Sequence, residues 1–301
     1  MLDPTALYTW ESLDPTPRPG VMIVALGGFV DAGSVQQVLT THLLRSGEDE
    51  VVATFDVDQL FDYRGRRPLM TFEVNQWLDY EGPSMRLHRL SDRDGQDYYL
   101  LAGPEPDLQW ERMVSAVTGL MDRLGISLVV SVHGIPMAIP HTRPVSLTAH
   151  ATDASLIGER ESPFGRVSVP ASFPAVLEKR LGEQGRSAVG FAIHVPHYLA
   201  QAEWAEGALA GLNAVVDVTG LNLPNDDLVT LAGENTRAIV SELAGNDEAQ
   251  TLVSGLEQQY DAFVAGQERT SLLAAPADLP SAEELAEDVE EFLRSVGDDS
   301  A

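Results

Sequence analysis

The chain has 301 residues, 44% of them apolar, which is enough for one large α/β domain plus an appendage. Its 46 acids against 19 bases leave a net charge of −27, a field that repels phosphate backbones and anionic lipid, so neither nucleic acid nor a membrane is expected as a partner. The absence of cysteine removes disulfides, thiolate zinc sites and cysteine nucleophiles, and with no signal-peptide pattern and no membrane-length apolar run the chain is expected to be soluble and cytoplasmic.

Residues 1–19, rich in proline and polar groups, form a lead-in whose Leu7, Tyr8 and Trp10 can pack on the body. Val21–Leu26 is apolar on both faces and stops at Gly27-Gly28, the pattern of a buried central strand. Ser34 with Gln37 reads as a capping box for a helix whose apolar face is Val35, Val38, Leu39 and Leu43. Val51–Phe55 is a second strand, ending at Asp56 and Asp58, and residues 62–68 form a polar loop with a local basic cluster.

Residues 69–75, 84–90 and 97–103 are three short runs parted by turn signals, which predicts an antiparallel meander inserted among crossover units. Leu108–Leu124 has helical spacing, with Gly125 as its C-terminal cap. Leu128–Val132 is another buried strand, expected to break at His133-Gly134-Ile135-Pro136, and the prolines at 136, 140 and 144 argue against regular pairing beyond it. Further strands are expected at Val145–His150, Ala188–Val195 and Ala214–Val218, and helices at Pro170–Arg180 and Leu199–Ala210. No strand pattern follows Pro224: helices are read at Asp226–Ala244 and Asp247–Val264, a linker at Gly266–Pro280, and an acidic amphipathic helix at Ser281–Val296, either docked or mobile. The expected division is a core domain over 1–222, a helical subdomain over 223–265, and a linker with tail helix over 266–301. The fold class is α/β, with a central mixed, largely parallel sheet flanked by helices.

Ligands of open α/β sheets bind beyond the carboxyl ends of the strands. Here those ends carry Gly27, Gly28, Asp31, Gly33 and Ser34, then Asp56 and Asp58, His133, His150, and His194 with His197. The glycine loop is neither a P-loop nor a dinucleotide fingerprint, and Asp31 would oppose a phosphate, so a tight turn with Asp31 bonding the helix start is the preferred reading. His194-Val195-Pro196-His197 has metal-like spacing, but the proline follows a strand, and histidines bonding loop carbonyls are the better account; no metal or cofactor is expected. Histidine, not serine, stands at the strand exit, Ser131 lies inside the strand, and spacing does not indicate a His133–Asp acid/base pair. Arg64, Arg66, Arg67 and Arg143 are candidates for an anionic ligand or an acidic partner chain, weighed against ion pairs with the chain's own acids.

With ALGGFVDAG (25–33), FDYRGRRP (61–68), GIPMAIPHTRP (134–144) and HVPHYLA (194–200) in that order, the chain resembles the proteasome assembly chaperone 2 family in its longer bacterial branch. The resemblance implies a core similar to that of purine nucleoside phosphorylases, helical C-terminal additions, and a homo-oligomer, with a trimer expected. It also implies a non-catalytic binding role, with proteasome subunits or another protein as partners, and it supplies no catalytic residues to carry over. The alternative expectation is a small-molecule protein or enzyme, for a nucleoside or other anionic ligand, using Gly27, Gly28, Asp31, Gly33, Ser34, His133, His194 and His197.

Overall fold

The computed structural model describes residues 2–12, 20–28, 30–158 and 164–271. The expected tail helix at Ser281–Val296 lies outside them. Among the described residues, eight strands form one sheet in the order β1(Tyr8–Trp10), β3(Glu50–Phe55), β6(Arg86–Ser91), β7(Asp97–Pro104), β2(Gly20–Gly27), β8(Ile126–Met137), β10(Ser187–Pro196), β9(Leu147–Ala151). The central strands β7, β2, β8 and β10 run parallel, with antiparallel pairing at both margins. This is the mixed, mostly parallel α/β architecture that the apolar runs imply.

Alternation along β2 divides two cores. Val21, Ile23 and Ala25 face α1(Val35–Arg45), α4(Ala205–Thr219) and α5(Asp226–Leu243), while Met22, Val24 and Leu26 face α2(Trp110–Leu124) and α3(Phe173–Glu183). A strand covered on both faces must be apolar at every position, which is why these segments are continuous runs. Leu7 enters the α2–α3 core, and Arg112 of α2 holds the same lead-in by donating to the Asp3 carbonyl at 2.6 and 2.9 Å. Gly125 takes the left-handed φ of 74° expected of a helix C-cap.

Four expectations change. Residues 214–218 are not a strand: they lie in α4, where Ala205, Ala208, Leu212 and Val215 bury one helical stripe, and packing of that stripe overrides the β-branched preference. Nor does β8 break at His133. It continues to Met137 beside β10; beyond Ser131 it pairs on that side alone among the described residues, so Pro136 stands where the strand is laddered on one side only, as an edge proline is. The antiparallel meander is shared between two sheets: β6 and β7 join the main one, whereas β4(Met70–Glu73) and β5(Gln76–Tyr80) pair only with each other. Finally, α6(Asp247–Ser271) runs seven residues past Val264 into the expected linker, through a stretch with no proline to stop it.

Compactness divides the chain between Val253 and Ser254. The first unit holds both sheets and α1–α5; the second begins within α6. No helix among the described residues is long and apolar enough to cross a membrane.

Candidate functional site

The turn from β2 into α1 is organised by Asp31. Its Oδ1 accepts from the backbone N–H groups of Gln36 at 2.9 Å and Gly134 at 3.2 Å, and its Oδ2 accepts from that of Gln37 at 3.1 Å. Burial pushes this carboxyl above its usual range, with the three N–H groups pulling the other way. The capping box is not used: Ser34 sits at φ 50° and caps nothing, because Asp31 already serves the first turn. The same turn abuts β8 so closely that a Cβ on Gly134 would lie 2.0 Å from the Ala32 carbonyl oxygen. Gly33 adopts a left-handed φ of 67° against Trp204 and Val195. Asp31, Gly33 and Ser34 are therefore placed as parts of a turn, and the helix start already carries a carboxylate where an anion would sit.

On the α2–α3 side of the strand ends lies a cavity of about 370 Å³. Gly28, Gln36, Glu105, Ser131, His133 and His150 contribute its polar lining, and Val24, Leu26, Ile135 and Pro174 contribute to its apolar walls. Strand register explains the gathering. Ser131 of β8 pairs with Gly190 of β10, which pairs with His150 of β9; one level on, His133 pairs with Ala192 and Ala192 with Thr148. Small residues on β10 leave room above the sheet for the larger side chains on either side. A Cβ on Gly190 would meet His150 Cε1 at 2.0 Å, so this imidazole lies over a position that only glycine leaves open.

His150 Nδ1 sits 2.9 Å from both carboxylate oxygens of Glu178 on α3. Glu105 donates its backbone N–H to the Gly27 carbonyl at 2.7 Å, and its side chain accepts from the backbone N–H of Phe173 at the start of α3. Burial, and then the proximity of His150, pushes His133 down to about 4, so its imidazole is neutral at pH 7. Gln36 and Ser131 are only 7% and 9% exposed, yet neither the Gln36 amide nor the Ser131 hydroxyl hydrogen-bonds to any described residue.

A second hollow, of about 430 Å³, opens on the α1 side and is lined by Gly27, Gly28, Asp31, Ser34, Gln36 and Arg66 among others. Arg66 is already engaged: it donates to the Glu105 carbonyl at 2.6 Å and to Asp107 at 2.7 Å, and stacks over Phe61. Arg64 and Arg67 are exposed on the adjoining loop. Arg143 donates to the Thr142 carbonyl at 3.4 Å, away from both hollows. His194 is held by Ser146 Oγ at 2.9 Å and Thr148 Oγ1 at 2.8 Å and lines neither hollow, and His197 is exposed on a short turn after β10. Thus the structure gathers Gly28 with His133, adds Gln36, Glu105 and Ser131, and leaves His194, His197 and the arginines at 64, 67 and 143 elsewhere. The overlooked signal was Ser131 and His133 at i and i+2 of an otherwise apolar strand, which puts both on one face. Among the described residues, no group of three or more histidines and acids is arranged to hold a metal ion.

The remaining feature is the β4–β5 hairpin. Leu69, Met70, Phe72, Val74, Trp77, Leu78 and Tyr80 are all exposed, Val74 by 91% and Trp77 by 66%. Phe72 and Trp77 lean on each other, with ring centroids 4.9 Å apart, and the two-stranded sheet joins no other strand among the described residues.

Fold and site together define an α/β protein with a mixed sheet, a polar cavity at its strand ends, and an apolar hairpin standing apart from the core. The chain belongs to the PAC2 family, whose model matches residues 25–244. It is similar to a Mycobacterium tuberculosis protein of unknown function, at 39% identity and a TM-score of 0.85 over 88% of this chain and 92% of that one. A Corynebacterium glutamicum protein of unknown function is 33% identical, with a TM-score of 0.81 over 86% and 98% of the two chains. A Mycobacterium tuberculosis proteasome-assembly chaperone homologue is 26% identical, with a TM-score of 0.70 over 77% and 99%. No curated protein matches the chain.

Proposed function

We propose that this protein is a non-catalytic, cytoplasmic interaction protein of the assembly-chaperone kind, and that it works as a homo-oligomer, a trimer, joined through the β4–β5 hairpin. The observation that carries this reading is the hairpin itself. Fully burying a large apolar side chain is worth about 1.5–3 kcal/mol, and these seven are 40–91% exposed, so the gross loss left in water is about 6–13 kcal/mol, enough to offset much of the cost of association. A contiguous exposed patch of this kind on a soluble fold marks a protein interface. Arg64 and Arg67, exposed beside the hairpin, offer local ion-pair contacts to acidic side chains of a second copy, while the net charge of −27 on each copy opposes the association and makes it salt-dependent. Similarity to the proteasome-assembly chaperone homologue supports a further, proteasome-related protein partner.

Light scattering after gel filtration tests this. The native chain is expected to elute as a trimer. The Phe72→Ser/Trp77→Ser variant is expected to elute as a monomer with an unchanged far-ultraviolet circular dichroism spectrum, and to lose any dependence of its unfolding temperature on protein concentration. A monomeric native chain, or a variant that stays trimeric, overturns the reading. The alternative, a small-molecule protein using the strand-end rim, is favoured by one specific observation, the cavity beside Ser131 and His133.

A further inference from the structure

Burying a polar group without a partner costs free energy, and natural cores hold few such groups. Polar groups can instead be left without a protein partner where they face open space, and two do so on one cavity: Gln36 and Ser131 are mostly covered as residues, yet the Gln36 amide and the Ser131 hydroxyl make no hydrogen bond among the described residues and are not sealed from the space they line. They come from different elements, α1 and β8, so no single local conformation accounts for both. The His133 imidazole lines the same space and has no hydrogen-bond partner of its own among the described residues. Three unused polar groups around about 370 Å³ are a set of donors and acceptors waiting for a complement.

The chemistry of that complement follows from what is present and what is not. An amide, a hydroxyl and an imidazole all offer donor and acceptor capacity. No lysine or arginine lines the cavity, whereas the Glu105 carboxylate does, and the chain as a whole is strongly acidic. An anion would meet the Glu105 carboxylate with no lysine or arginine in the lining to offset it. Apart from His150 and Ser172, the rest of the lining is mostly valine, leucine, isoleucine and proline, which rewards apolar surface on the ligand.

We propose that this cavity is a binding site for an uncharged small molecule of the amide or aza-heterocycle class, with donor and acceptor groups on its edge met by Gln36, Ser131 and His133. The site differs from the anionic-ligand expectation, and it is independent of the hairpin and of any partner protein.

Matched probe pairs test it on the full chain: nicotinamide against nicotinate, and uracil against orotate, with adenine as a third neutral ring. Binding is read by calorimetry and thermal shift. At least one neutral probe is expected to bind, and its carboxylate counterpart to bind at least ~10-fold more weakly. Ser131→Ala and Gln36→Leu are each expected to weaken the neutral probe by about 10-fold, the worth of one buried hydrogen bond. Both variants are also expected to melt, without ligand, close to the native temperature, since each deletes a polar group that makes no hydrogen bond among the described residues. No binding by any neutral probe, equal binding of the carboxylates, or unaltered affinity in both variants overturns the proposal. A clear fall in the unliganded melting temperature of both variants does so too, because it would make these groups structural.

Discussion

Replacing Asp31 by alanine is expected to lower unfolding free energy by about 3–4 kcal/mol, measured as a fall in the urea midpoint at unchanged m-value. The carboxylate is the meeting point of three backbone N–H groups, two at the first turn of α1 and one in β8. Alanine strands all three. Asparagine should cost less, about 1–2 kcal/mol, because its carbonyl can keep the Gln36 and Gly134 bonds while its NH₂ faces only the Gln37 donor. Burial holds the Asp31 carboxyl above its usual range, so the charge itself adds little and the neutral isostere retains much of the benefit. The ordering alanine worse than asparagine distinguishes a hydrogen-bond staple from an electrostatic one. Equal losses for the two variants, or a loss below about 1 kcal/mol for alanine, would refute it. The staple also sets the cavity, since the turn it fixes to β8 carries Gly28, and the helix start it caps carries Gln36.

What could be read from the residues alone follows physical locality. Val21–Leu26, Leu128–Val132 and Ala188–Val195 are apolar at every step, and a strand buried on both faces leaves no other pattern, so the sheet's centre was legible. Asp31 was legible as a helix-start partner because capping acts over a few residues. The segment at 214–218 was not: Val-Val-Asp-Val favours a strand locally, and only the stripe from Ala205 to Val215 against β8 and β10 makes it helix, although Gly220 was a usable C-cap signal. The site was half legible. His133 stands at a strand exit, but Ser131 meets His150 only because β10 lies between their strands, and Glu105 reaches Gly28 only because β7 is next to β2. Those adjacencies are long-range and leave no mark on neighbouring positions. The hairpin shows the converse limit: Phe72 lies in a run read as a strand, whereas Trp77 and Tyr80 of β5 lie outside the three runs, and nothing near them in sequence says that their faces stay uncovered.

Acidification is expected to destabilise the native chain through His133, by about 2 kcal/mol at pH 5 and about 3 kcal/mol at pH 4 relative to pH 7.5. The imidazole titrates near 6.5 when unfolded and is pushed down to about 4 in the fold, chiefly by burial and then by His150. A base with a depressed folded value is neutral in the native state and protonated in the unfolded one between those limits. Its stabilising contribution is therefore complete above 6.5 and lost as pH falls towards 4. Burial lowers His194 as well, which adds a loss of the same sign. Asp31, raised by burial, acts oppositely, since taking up a proton favours its native form. The total slope thus mixes several groups, and the His133 share is isolated by difference: His133→Gln is measured beside the native chain at each pH by chemical unfolding. The native chain should be the more acid-sensitive of the two, with the gap opening below pH 6.5. Parallel pH profiles would mean that His133 is solvated in the fold, and the cavity would then be wet and open rather than a shielded place for an uncharged guest.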